Sequence, residues 1–174
     1  MYLPLQLSLL ALSVYKIYNL YLKYKSFDKF ATNPTDKFQT GTIQCDPSEK
    51  FPVCRKDIRK RHKVHYEMPI SMFKKAHTIK FNGIQLVLSK CQIYYTETKF
   101  YHSHNKSIIK KYIPNNSVIC IFGTLNENGW YEPEAMGSKE DVMDYVADKC
   151  YGLTRTSVVQ WLGLLTVSLI LLFK

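Results

Sequence analysis

At 174 residues the chain is long enough for one domain, or for one domain with additional segments. It carries 24 Lys and Arg against 14 Asp and Glu, a net charge of +10, with 14% aromatic residues. That aromatic content excludes wholesale disorder, and the basic excess suits an anionic partner: lipid head groups, nucleic acid or an acidic protein surface.

The chain opens on an apolar stretch, YLPLQLSLLALSVYKIYNLYLKYK. Residues 1–25 read as an N-terminal transmembrane helix, because Leu3 to Leu22 supplies about 20 mostly apolar residues, the length needed to cross a hydrocarbon core. Lys16 is the charge inside this run and can snorkel to the interface. Tyr15, Tyr18, Tyr21 and Tyr24 suit an aromatic belt. A cleaved signal peptide is the rival reading. Against it, no Lys or Arg precedes the run and no small-x-small cleavage site follows. Orientation is open: Lys16, Lys23, Lys25 and Lys29 would hold the following domain on the cytosolic or nucleoplasmic side, whereas its cysteines point toward the opposite, oxidising side.

Residues 26–42, polar with Pro34 and Gly41, read as a linker. Residues 43–155 then read as a basic, β-rich, membrane-adjacent domain. In CDPSEKFPVC, Cys45 and Cys54 close a Pro-containing loop. A disulfide and two free thiols in a reducing compartment both fit. Cys91 and Cys120 lie in apolar strand patterns and read as buried thiols.

The densest basic run is CRKDIRKRHKVHY, and Arg55, Lys56, Arg59, Lys60, Arg61 and Lys63 form the candidate interaction surface. A solvated face explains them equally well. Aromatics are sparse within the run, so base stacking finds little support and nucleic acid is not the expected partner. Anionic lipid or another protein of a membrane complex fits better. His62 and His65 with Cys45 and Cys54 fit no usual zinc spacing, and His102 and His104 share one strand face. No metal or cofactor is expected on these residues.

GIQLVLSKCQIYY, Gly83 to Tyr95, reads as a strand preceded by an Asn82-Gly83 turn. IPNNSVICIFGTLNENGWYEPE follows as a hairpin. Its turn is placed at Asn128 and Gly129, where positive φ is required, with a bulge at Gly123 and an edge position at Pro133. The period then becomes helical in SKEDVMDYVADKC. Ser138 caps, Asp141 answers it, Val142, Tyr145, Val146 and Cys150 form the buried stripe, and Gly152 ends the helix. Residues 156–174, TSVVQWLGLLTVSLILLFK, read as a C-terminal transmembrane helix, short for a span but apolar on every face. The expected fold class is therefore α+β: a small antiparallel β domain with a C-terminal helix, flanked by N- and C-terminal transmembrane helices. No P-loop, dinucleotide fingerprint, zinc-protease or nucleophile-elbow motif is present, so no enzymatic activity is expected.

The segment KKYIPNNSVICIFGTLNENG, followed by a capped helix leading into an apolar run, resembles the GIDE (beside-a-membrane) domain of mitochondrial ubiquitin ligase activators. The RING domain of those ligases has no counterpart here, so the resemblance implies the domain and not ligase activity. The whole layout, with SLLALSVYKIYNLYLKYK at its start, is similar to small envelope proteins of occlusion-derived baculoviruses, of the per os infectivity factor kind. That resemblance implies sorting through the inner nuclear membrane to a viral envelope, partners in a multiprotein membrane complex, and a part in host-cell entry. The expected function is a non-enzymatic, double-anchored scaffold subunit of such a complex. The alternative is a RING-less GIDE-like regulator at a mitochondrial or other organelle membrane.

Overall fold

A computed structural model describes residues 3–62, 65–66, 70–103 and 106–172. The chain falls into two compact units, one of residues 36–142 and one made by the segments up to Thr35 and from Met143. The first unit holds eleven described strands: β1 (Phe38–Cys45), β2 (Val53–His62), β3 (His65–Tyr66), β4 (Ile70–Lys75), β5 (Ile79–Phe81), β6 (Ile84–Gln85), β7 (Gln92–Ile93), β8 (Glu97–Ser103), β9 (Lys106–Ile113), β10 (Val118–Leu125) and β11 (Tyr131–Gly137). The helices are α1 (Leu3–Thr32), α2 (Lys139–Tyr151) and α3 (Arg155–Leu172). The class is α+β with antiparallel sheets, as the sequence implies.

One sheet runs β6-β5-β1-β10-β11-β7, antiparallel except where β7 joins β11. β10 has a neighbour on each side, and Ile119, Cys120, Ile121 and Phe122 are all buried. Each buried aliphatic side chain contributes about 1.5–3 kcal/mol relative to exposure. Phe81 packs edge-on against Tyr131, with ring centroids 5.7 Å apart, at the heart of this core. The Tyr131 hydroxyl donates to the Gln39 amide oxygen. Gly123 sits at a bulge, where the register slips between Phe122 and Gly123. Pro133 lies opposite it, before the pairing of β11 with β7 begins at Ala135, so its missing N–H breaks no ladder there.

The second sheet has β2 at its centre, with β9 on one side and β4 and β3 on the other, and β8 beyond β9. Only its end nearest the core is packed: Val53 and Ile113 belong to the core cluster. Outward from there both faces are open, with Phe73 and Phe100 exposed on one face and Ile70, Met72 and Tyr101 on the other.

In the helical unit, α1 and α3 pack antiparallel. Phe27 meets Tyr151 edge-on at 5.6 Å, and further along the Lys16 ammonium lies 5.6 Å from the Trp161 ring. Ser13 and Ser168 are buried, and each hydroxyl returns to the carbonyl four residues back in its own helix. α3 starts at Thr154, whose hydroxyl accepts from the Ser157 N–H at 3.1 Å. Most of the remaining surface of both helices is apolar and exposed, from Leu5 to Tyr24 on α1 and from Val158 to Ile170 on α3.

Several expectations are corrected. Residues 26–42 are not a linker. α1 continues to Thr32, where Phe27, Phe30 and Tyr151 cluster, and β1 begins at Phe38. Ring contacts and sheet pairing override the polar composition of that stretch. The β unit ends at Val142 rather than residue 155. Gly83 to Tyr95 is not one strand. Only the short strands β6 and β7 and a single bridge from Leu86 to Tyr131 pair within it, because Ile84, Leu86, Leu88, Cys91 and Ile93 turn toward the core instead of holding a long ladder. Cys150 is exposed and does not belong to the stripe of Val142 and Val146.

Two flanking transmembrane helices are not borne out. Among the described residues no single helix is long and apolar enough to cross a membrane. Gln6, Lys16 and Asn19 dilute the apolar part of α1, and α3 is short. Lys139–Tyr151 and Thr156–Ile170, bent by 58° at their junction, meet the requirement together by length and composition.

Candidate functional site

The basic run lies on β2, where successive side chains point to opposite faces. Arg55, Asp57 and Arg59 therefore share one face, and Lys56, Ile58 and Lys60 share the other. The run is not one surface. Arg61 pairs through its backbone with Tyr66, and Lys63 and His104 lie outside the described residues.

On the arginine face, the Arg55 guanidinium donates to Asp57 Oδ1 at 2.9 Å and the Ser71 hydroxyl donates to the same oxygen at 2.6 Å. The Ser71 bond, more than the arginine, holds the Asp57 carboxyl below its usual range. Asp57 thus neutralises part of the run. Its exposed neighbours are Phe73, Lys111 and Phe100.

The lysine face extends beyond the run. Register places Lys56 opposite Lys110 and Lys110 opposite Lys99, a row across three adjacent strands. Lys60 and Lys106 pair four residues further out. Between these rows runs Ile70, Ile58, Ile108 and Tyr101. At the inner end Phe51 packs on Tyr112 with centroids 4.3 Å apart, and the Lys110 ammonium lies 4.1 Å from the Phe51 ring. Tyr112 donates to Glu97 at 2.6 Å, and this bond raises its pKa. Lys99 sits 5.6 Å from the Tyr112 ring, and its ammonium is held above its ordinary pKa by the Tyr112 hydroxyl.

The run itself was visible in the sequence; Lys99, Lys106 and Lys110 as its partners were not. Their signal is the two-residue alternation of Lys106, Ile108, Lys110 and Tyr112, matched by Lys99 and Tyr101.

The other predicted residues have structural roles. Gly129 has φ 72°, as the turn requires. Asn128 does not share the positive φ expected of it. The loop spans Asn126 to Trp130, and the Asn126 side chain accepts from the N–H groups of Asn128 and Trp130 at 2.9 and 3.0 Å. A three-residue loop with glycine at its last position needs only that one left-handed residue. The tight two-residue turn is instead at Asn82 and Gly83, with φ 49° and 84° between β5 and β6. Ser138 caps α2: the Asp141 N–H donates to its hydroxyl at 3.2 Å, and the hydroxyl donates to the Asp141 carboxylate at 2.6 Å. Gly152, at φ 63°, closes α2 with its N–H on the Asp148 carbonyl.

Cys45 and Cys54 carry free thiols, at the end of β1 and near the start of β2. Cys45 donates to the Glu49 carbonyl at 3.3 Å. Burial, then Glu49 and Asp46, push its pKa up. Burial pushes the Cys91 thiol up to about 12. Among the described residues no three of His, Cys, Asp and Glu gather as a metal site would require.

No family model matches the chain, and no solved structure matches it. Over 78 residues it is 38% identical to an uncharacterized protein of Acanthamoeba polyphaga mimivirus, an alignment covering 44% of this chain and 34% of that protein. The chain therefore spans about a third of the length of the curated relative it matches. The GIDE and per os infectivity resemblances rest only on the residues that carry them.

Proposed function

We propose that this chain is a non-enzymatic, membrane-associated docking subunit of a viral membrane complex, with a role in entry as the expected setting. The observation that carries the reading is the surface of the helical unit. α1 and α3 pack on each other, each with one buried serine, and turn leucines, valines and tyrosines outward around the pair. Water-facing helices place their apolar stripe inward and polar residues outward; these show no such polarity. Small residues at the contact and apolar residues outside are the arrangement that helices adopt in lipid. The helices insert as a pair, with Lys16 and Trp161 stacked where ammonium and indole reach the head-group level. The likeness to a mimivirus protein supports a viral setting.

The β unit supplies the docking surface. Its hairpin β10–β11 is mostly core, so docking falls to the open second sheet. The membrane part is tested by carbonate extraction of the full chain from its native membrane. The protein is expected in the pellet, and removal of residues 156–174 is expected to shift it toward the supernatant, because the pair inserts together. Solubility of the intact chain would overturn the membrane reading. The docking part is tested by affinity purification of the full chain and of Arg55→Glu with Arg59→Glu. Loss of co-purifying proteins by the variant with an unchanged melting temperature supports docking through that face, and retention of all of them rules it out.

A further inference from the structure

We propose that the opposite face of the same sheet, centred on the row Lys56, Lys110 and Lys99, docks onto the anionic head groups of a lipid bilayer. This deepens the docking role proposed above by naming a partner, and it rests on that reading.

Like charges placed directly opposite one another across strands oppose sheet pairing. Here three lysines stand in line on strands about 4.8 Å apart. Lys60 and Lys106 repeat the conflict four residues out. Among the described residues one carboxylate acts on the row: Glu97, two residues from Lys99 on the same strand face, accepts from the Tyr112 hydroxyl and attracts the Lys99 ammonium. Glu49 pairs with Lys74 at 3.1 Å. The Phe51 and Tyr112 rings offset part of the repulsion and hold Lys110 and Lys99 upright on this face. The fold thus maintains a concentrated positive charge, five lysines against the one carboxylate of Glu97, that it offsets only in part. An external anion completes it.

Neighbouring side chains identify that anion. Ile70, Met72 and Tyr101 are each at least half exposed and lie within or beside the lysine row. A nucleic acid would engage the lysines and leave Ile70 and Met72 in water. The head-group boundary of a bilayer takes both: ammonium groups at the phosphates and carboxylates, aliphatic side chains just below them. The described face carries lysine and no arginine. Point charges suit a fluid, laterally mobile array of head groups, whereas the guanidinium fork suits fixed bidentate phosphate contacts. Arg55 and Arg59 lie on the other face.

The test uses the full chain in nanodiscs of phosphatidylcholine, which shield α1 and α3. Vesicles of phosphatidylcholine alone, or with a minor fraction of phosphatidylserine, are added and capture is measured. Capture of the phosphatidylserine vesicles only is expected. Replacing three lysines (Lys56→Gln, Lys99→Gln, Lys110→Gln) should weaken it about a hundredfold, on a scale of roughly fivefold per lysine near an anionic surface. The melting temperature should stay level or rise, because the cross-strand repulsion is removed. If that variant does not fold, Lys60→Gln with Lys106→Gln, which disturbs no ring contact, carries the test, with a loss of at least about tenfold expected. Equal capture of both vesicle types, or retained capture in the folded variant, overturns the proposal. So does a duplex oligonucleotide that binds the lysine face and displaces the vesicles. A chain that does not enter the discs overturns the membrane reading instead. The same two vesicle types, presented to the free chain, then judge the lysine face separately.

Discussion

Single residues decide the β unit where backbone and side chain compete for space. At Gly123 a Cβ would lie 2.4 Å from the Glu132 carbonyl oxygen and 2.6 Å from the Pro133 Cα, both backbone atoms that cannot rotate away. Gly123→Ala should therefore cost about 1–3 kcal/mol, seen as a lowered melting temperature. Gly129 is different: nothing lies near its missing Cβ, but its φ of 72° is left-handed. Gly129→Val should cost about 1–2 kcal/mol through strain alone, and Gly129→Asn markedly less, since Asn tolerates that region. Equal melting temperatures for the two variants would show that φ is not the cause. Asp57 gives a pH dependence. Its folded pKa is lowered, so its contribution is present above the usual carboxylate pKa and is lost as pH falls through the folded value. Asp57→Asn should remove that acid-side loss. Urea titrations between neutral pH and the acid limb would detect it as a flatter profile.

At the scale of elements, the second sheet and the helical pair share a property: each has more open surface than its pattern needs for folding. The sheet is rooted by Val53 and Ile113 and then runs outward with two exposed faces. On the lysine face its pairing registers keep charges and isoleucines in separate rows. The helical pair depends on small residues for close approach. Ser13 is fully buried, whereas Ser8 is exposed on the same helix. Ser13→Leu should push α1 and α3 apart, costing about 1–3 kcal/mol by overpacking. Ser8→Leu should be close to neutral. Thermal loss of helical signal in detergent distinguishes them, and equal behaviour would place Ser13 outside the contact.

At the scale of the molecule, a basic β unit and an apolar helical unit have opposite solvent requirements. The full chain should elute as a monomer in detergent and as large assemblies without it, because the outward leucines and valines of α1 and α3 then meet only one another. Near-ultraviolet dichroism of the β unit should be the same in both conditions, since its aromatic core around Phe81 and Tyr131 is its own. A detergent-free monomer would count against the membrane reading.

Local chemistry was enough for part of this architecture. The cap at Ser138, the stop at Gly152, the bulge at Gly123, the left-handed Gly129 and the apolar character of both terminal helices follow from residue type and immediate neighbours. Those features depend on contacts within a few residues, which a sequence displays directly. What lay beyond reach depends on distant pairing. The continuation of α1 through Thr32 follows from ring contacts with Tyr151, and the fragmentation of Gly83 to Tyr95 from a core built by other strands. The basic run reads as one patch along the chain, yet strand alternation divides it between two faces. The register of β2, β9 and β8 then joins Lys56 to Lys110 and Lys99, which are more than forty residues away in sequence. Charge was written in the sequence; which charges face the same way was decided only when the strands paired.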